Sequence, residues 1–332
     1  MMGLATLMIV FCHSRNLSFA FLRFQPIIAI FEFAKQYATI GVEVFLLLSG
    51  LGLYNTMSQN GKLSVYYRNR FLRIFPAVFI VAAINSAFAY NPVGMPQYIC
   101  KIFLLEFFIN GSRTFWYFSF ILLLYLIYPF LHRFIRRRTT LRLLLLFFLS
   151  IFLNIGFMAF AQAYYQLIEV AVSRIPVFIV GVWLGYCSKN DKKTPLLPTL
   201  SIAVCAFAAA ILVLLQINTT FIVRLCTSVC GLSVVLVGAW ILDTGSLSPL
   251  KKLLIGFGSY SMEIYLLYER VTSLFQGVIH SDKYQIAFYL VSFIVTMLGA
   301  VVLKSCVDKL LSVFGFQKAK SQIAASTLPK AE

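Results

Sequence analysis

Acid is scarce in this chain: 11 Asp and Glu among 332 residues, with charged residues of either sign making up only 12%. A soluble globular domain carries about 25%. Histidine is scarcer still, with three copies, His13, His132 and His280. The seven cysteines lie inside or beside apolar runs, with the spacing of neither a disulfide framework nor a zinc site. These shortages exclude an ordinary soluble fold and a disulfide-stapled scaffold, and no metal is expected. The first twelve residues have no basic start and no small-residue cleavage site, so no cleavable signal peptide is expected.

What the chain has instead is apolar length. Apolar residues make up 61% of it, 33 of them phenylalanine, and the mean hydropathy is +0.88. The net charge of +17 would suggest nucleic acid as a partner in a soluble chain. Here Lys and Arg cluster in short stretches between apolar runs, which is how the cytoplasmic side of a membrane protein is marked. No nucleic-acid module is present, and none is expected as a partner. The fold class that follows is all-α, a polytopic transmembrane helical bundle of about ten spans. The runs are 3–22, 37–57, 74–90, 115–131, 143–163, 168–187, 200–217, 221–242, 253–275 and 286–306. Residues 98–110 are apolar but rise only about 20 Å as a helix, against a hydrocarbon core of roughly 30 Å. They read as a short re-entrant or interfacial helix. Basic stretches at 62–73, 133–142, 189–193 and 251–252 then all fall on the cytoplasmic side, with both termini. One transmembrane domain, 1–308, is followed by a polar tail, 309–332.

Few groups in such a chain can carry chemistry. His13 lies about ten residues into the first run, near mid-membrane. A neutral imidazole accepts a proton near pH 7, as an alcohol attacking an activated ester requires; the plainer reading is a histidine that hydrogen-bonds inside the bundle. Arg68, Arg70 and Arg73 fall within six residues, and Arg70 and Arg73 share a helix face. Guanidinium groups bind phosphate through paired donors, although the same residues serve simply to fix topology. Glu43 and Arg15 are costly in a membrane unless paired. A Glu43–Arg15 contact and a Glu43–His13 contact are both open, the second orienting the ring through Nδ1. Trp116, Tyr117 and Tyr125 either line a cavity or anchor at the interface. Arg174, Glu263, Glu269 and Arg270 either pair with one another or line a substrate path.

Several stretches share their order with a known family. Residues 3–13 form an apolar helix ending in His13. Gly41-Val42-Glu43-Val44-Phe45 leads to Ser49-Gly50, and Arg70-Phe71-Leu72-Arg73-Ile74-Phe75-Pro76 follows. Trp116, Tyr125 and Pro129 share one run. Arg174, Phe178 and Gly181 share another, and Ser259-Tyr260-Ser261-Met262-Glu263-Ile264-Tyr265-Leu266 comes late. In this order the chain resembles the acyltransferase-3 family of bacterial integral membrane acyltransferases. The resemblance implies transfer of an acyl group, commonly acetyl from acetyl-CoA, to a hydroxyl of a cell-surface or secreted carbohydrate or glycolipid. It implies His13 as general base, Glu43 as the group orienting the site, and Arg68, Arg70 and Arg73 as holders of the CoA phosphates. Arg15, Trp116, Tyr125, Arg174 and Glu263 would meet the substrate. The setting implied is a multi-pass protein among the lipids of a bacterial inner membrane. Three positions depart from the family pattern: Met2 stands where an Arg precedes the histidine, Ile121 where a Glu follows the tryptophan, and Tyr268 where a His ends the late motif. The competing readings are a transporter or flippase of lipid-linked sugars, or an inactive scaffold.

Overall fold

Helix is the only regular structure of the described residues in the computed structural model. These residues are 1–14, 24–59, 62–87, 94–190, 220–243, 248–276 and 285–314, with single positions between 200 and 208 and at 316. Six stretches are long and apolar enough to cross a membrane: Ile40–Met57, Trp116–Ile135, Thr139–Phe160, Gln162–Lys189, Phe221–Leu242 and Ile286–Val313. The all-α transmembrane class is as expected. By that measure the described residues hold six, the runs 3–22, 74–90 and 253–275 being shortened or broken and most of the run 200–217 lying outside them.

The first run gives α1 (Met2–His13), which ends at the histidine; Ser14 leaves helical geometry at φ −79° and ψ 55°. Arg15 lies outside the described residues, as do His280 and most of the run 200–217. The stretch expected as a plain connection is α2 (Gln25–Tyr37), a helix with no buried residue. After α3 (Ile40–Gln59), the basic stretch 62–73, which lies between two apolar runs, is helical too from Leu63. It is continuous with the third run in α4 (Leu63–Ala87), so Pro76 sits in the helix interior and not at its start. Hydropathy marks where a helix leaves lipid, not where it ends, and Arg and Lys are good helix formers. Residues 98–110 contain no helix long enough to span. They fall in α5 (Met95–Ile102) and α6 (Glu106–Asn110), hinged at Leu104 and closed by Gly111 at φ 74°.

Two spans follow, α7 (Trp116–Ile135) and α8 (Thr139–Phe160). The sixth run breaks at Ser173–Arg174 into α9 (Gln162–Val172) and α10 (Ile175–Lys189), where Pro176 starts the new helix. The chain continues with α11 (Thr220–Asp243). The ninth run breaks at Tyr260 into α12 (Ser248–Ser259) and α13 (Ser261–Gln276). The last helix among the described residues is α14 (Gln285–Val313).

Helix α3 is the hub, packed on α1, α10 and α11. Helices in lipid gain little from burying apolar surface, so they associate where small residues let backbones meet. A Cβ on Gly181 would lie 2.3 Å from the Leu47 carbonyl oxygen of α3, and one on Gly50 would lie 2.5 Å from that of Phe178. Gly181→Ala is therefore expected to cost about 1–3 kcal/mol. Gly52→Ala, on the same helix as Gly50 with nothing within 4 Å, should be neutral or stabilising by up to about 1 kcal/mol. Thermal unfolding in detergent compares the two directly.

Candidate functional site

His13 ends α1 with its ring turned back on its own helix. Nδ1 lies 2.8 Å from the Ile9 carbonyl oxygen. A carbonyl only accepts, so Nδ1 carries the proton and Nε2 is the nitrogen left with a lone pair. The orientation expected from Glu43 is thus supplied by backbone. His13 lines a small, partly open cavity of about 20 Å³, whose walls come from α1, the start of α7 and α13. Thr6 and His13 face Phe118, Tyr265, Tyr268, Glu269 and Arg270 across it. Of the groups whose role the sequence left open, Glu269 and Arg270 therefore meet at the cavity. Among described residues neither forms an ion pair.

Glu43 belongs to a different cluster. Its Oε1 accepts from Arg174 Nε at 2.9 Å and from Thr227 Oγ1 at 3.3 Å. The carboxylate is 0% and the guanidinium 2% exposed. Arg174 Nη1 donates to the Val170 carbonyl oxygen at 2.5 Å, and its guanidinium carbon lies 5.2 Å from the Trp116 ring centroid. Gly231 of α11 admits the pair: a Cβ there would lie 2.8 Å from that of Glu43. Arg224, one turn before Thr227, is within electrostatic reach of both charges. The Glu43–His13 contact is replaced by this pair because α9 and α10 bring Arg174, fixed by its own helix break, against the first turn of α3. Arg174 and Trp116 are thereby joined, but neither lines the His13 cavity.

The α4 arginines form a third place. Arg70 donates to Thr56 Oγ1 at 3.1 Å and lies 5.2 and 5.8 Å from the Tyr125 and Tyr66 ring centroids. Tyr66 in turn donates to the Tyr125 carbonyl oxygen at 3.0 Å. Arg73 is exposed, within electrostatic reach of Tyr117 and Glu263. Glu263 sits near Lys304 and Asp308 instead of on the cavity wall. Arg68 is exposed. Between these arginines and His13 runs a row of rings. Tyr117 is within electrostatic reach of Tyr125 and lies 5.5 Å from Tyr265, which lines the cavity. Tyr265 and Tyr268 are the wall residues that reasoning from charge overlooked. Their signal was their spacing, three apart on one helix face.

The fold and these groups define a multi-helix integral membrane protein with a histidine-lined cavity joined by aromatic residues to an arginine-bearing helix. A family model described as an acyltransferase domain matches residues 2–305. The chain belongs to the acyltransferase-3 family, and is in general terms a membrane acyltransferase. No curated protein and no solved structure matches it.

Proposed function

We propose that this protein is an O-acyltransferase that moves an acyl group, acetyl first among candidates, from acyl-CoA to a hydroxyl of a cell-surface or secreted carbohydrate or glycolipid. The observation that carries this reading is His13: a ring held through Nδ1, with Nε2 the proton acceptor, at a partly open cavity between α1, α7 and α13. Nε2 takes the proton of the acceptor hydroxyl as its oxygen attacks the thioester carbonyl. The new C–O bond forms, the C–S bond breaks, and the proton passes to the departing thiolate. Arg70 and Arg73, with Arg68 beside them, suit the CoA phosphates. The ring row from Tyr125 to Tyr265 suits the acyl arm reaching toward His13. Glu43, clamped by Arg174, acts at one remove by fixing α3 and Trp116.

In this reading the α4 arginines and both termini face the cytoplasm of a bacterial cell, and the protein sits in the inner membrane. The test is transfer from labelled acetyl-CoA and succinyl-CoA to a panel of glycan acceptors by the purified protein in lipid. Acceptor-dependent transfer supports the proposal; none from any donor, with no acyl-CoA binding, ends it. Replacing Arg70 and Arg73 together by alanine should raise the donor KM about tenfold or more, since each charged hydrogen bond to phosphate is worth about 1.5–3 kcal/mol. A donor KM unchanged in that variant would remove the arginines from donor binding.

A further inference from the structure

The residue after the base is held from across the cavity. Ser14 Oγ lies 3.1 Å from the Val10 carbonyl oxygen and 3.0 Å from the Tyr268 hydroxyl. Both side chains are buried, at 4% and 3% exposure. The serine has one proton, and the carbonyl can only accept, so Ser14 donates to Val10. The bond between the two hydroxyls then has one direction: Tyr268 donates and Ser14 accepts. This joins α1 to α13 at the end of α1, where the last carbonyls of a helix have no intrahelical partner and the chain tends to fray. It is also where the chain leaves helical geometry, one residue beyond His13.

From this geometry we infer that Tyr268 is a positioning residue for the acyl transfer, holding the His13 end of α1 against the α13 wall of the cavity through Ser14. The inference rests on the reading of His13 as the base. The ring's own bond to Ile9 sets its rotation but moves with α1. The Tyr268–Ser14 bond ties that end of α1 to the helix that supplies Tyr265, Glu269 and Arg270 to the same cavity. With that donor removed, the buried serine oxygen keeps only its bond to Val10 within α1, and the end of α1 is released from α13. Sub-ångström to ångström displacement of a base costs rate and leaves the binding of a distant donor alone.

The test uses the full chain in lipid. Tyr268→Phe keeps the ring and removes the donor, and should lower kcat about tenfold or more with the acyl-CoA KM within about twofold. Tyr268→His retains a ring N–H able to donate to Ser14 and should recover most of the lost kcat. Ser14→Ala should match Tyr268→Phe, and the double variant should be no worse than either single, because one bond is being removed twice. Hydrogen exchange at residues 10–14 should quicken in Tyr268→Phe, with exchange in α3 and α10 unchanged. Losses that multiply in the double variant, or wild-type kcat with wild-type exchange in Tyr268→Phe, overturn the inference. If the unaltered protein transfers no acyl group from any donor and binds no acyl-CoA, the acyltransferase reading fails by that result. Exchange then decides this contact alone: faster exchange upholds the hold on α1, and equal exchange overturns it.

Discussion

Replacing His13 by alanine is expected to cut acyl transfer about 10²–10⁴-fold while the protein still inserts and purifies as a monodisperse species. The size of the loss follows from its role: a positioned base contributes about 10²–10⁴-fold. The fold survives because the bond lost with the ring is local to α1, made to a carbonyl one turn back. Packing of α1 rests elsewhere, on the contact of Gly3 with the Leu254 backbone of α12 and of Gly41 with the Ala5 backbone. The measurement is single-turnover transfer from labelled acetyl-CoA, paired with size-exclusion chromatography in detergent. Transfer at the unaltered rate would leave His13 as a histidine that merely hydrogen-bonds in a bundle.

Glu43→Ala has the opposite signature, a loss of stability of about 3–5 kcal/mol. Burying a charge is tolerable when a partner and further hydrogen bonds surround it, and Arg174, Thr227 and Val170 supply them here. Removing the carboxylate leaves a guanidinium that is 2% exposed with no counter-ion at that contact. Replacing both members by methionine should recover most of the loss, because two apolar side chains remove the desolvation cost together. Arg174→Lys should not rescue, since an ammonium cannot reproduce the guanidinium fork or its stacking on Trp116. Unfolding in mild detergent read by tryptophan fluorescence orders the variants. A double variant as unstable as the sum of the singles would show that the two side chains stabilise the fold separately.

The sequence spoke plainly about composition and poorly about continuity. Long apolar runs, the all-α class and the shortness of 98–110 were readable because hydropathy and length are additive along the chain. The basic stretch before Pro76 read as a loop because charge reports the surrounding medium, while the backbone of α4 runs through the change of medium without a break. The breaks at Ser173–Arg174 and Tyr260 were hidden inside runs of uniform hydropathy. At the site, His13 was visible as a rare ionisable group within an apolar run. The partner of Glu43 was not, because nothing local singles out a residue 131 positions away. The hold on Ser14 was equally hidden: hydroxyls in a polar-poor chain carry no sign of which helix they answer to.

The same separation governs how the protein is made. α3 and α10 meet backbone to backbone at Gly50 and Gly181, yet Arg174 leaves the ribosome 131 residues after Glu43. At about 5–20 residues per second that interval is roughly 7–26 s. For that time the hub of the bundle exists without its counter-ion or its closest neighbour. Biogenesis is therefore paced by translation: the first helices wait, and the spine of the molecule closes only once the chain has been made through α10, just past its midpoint.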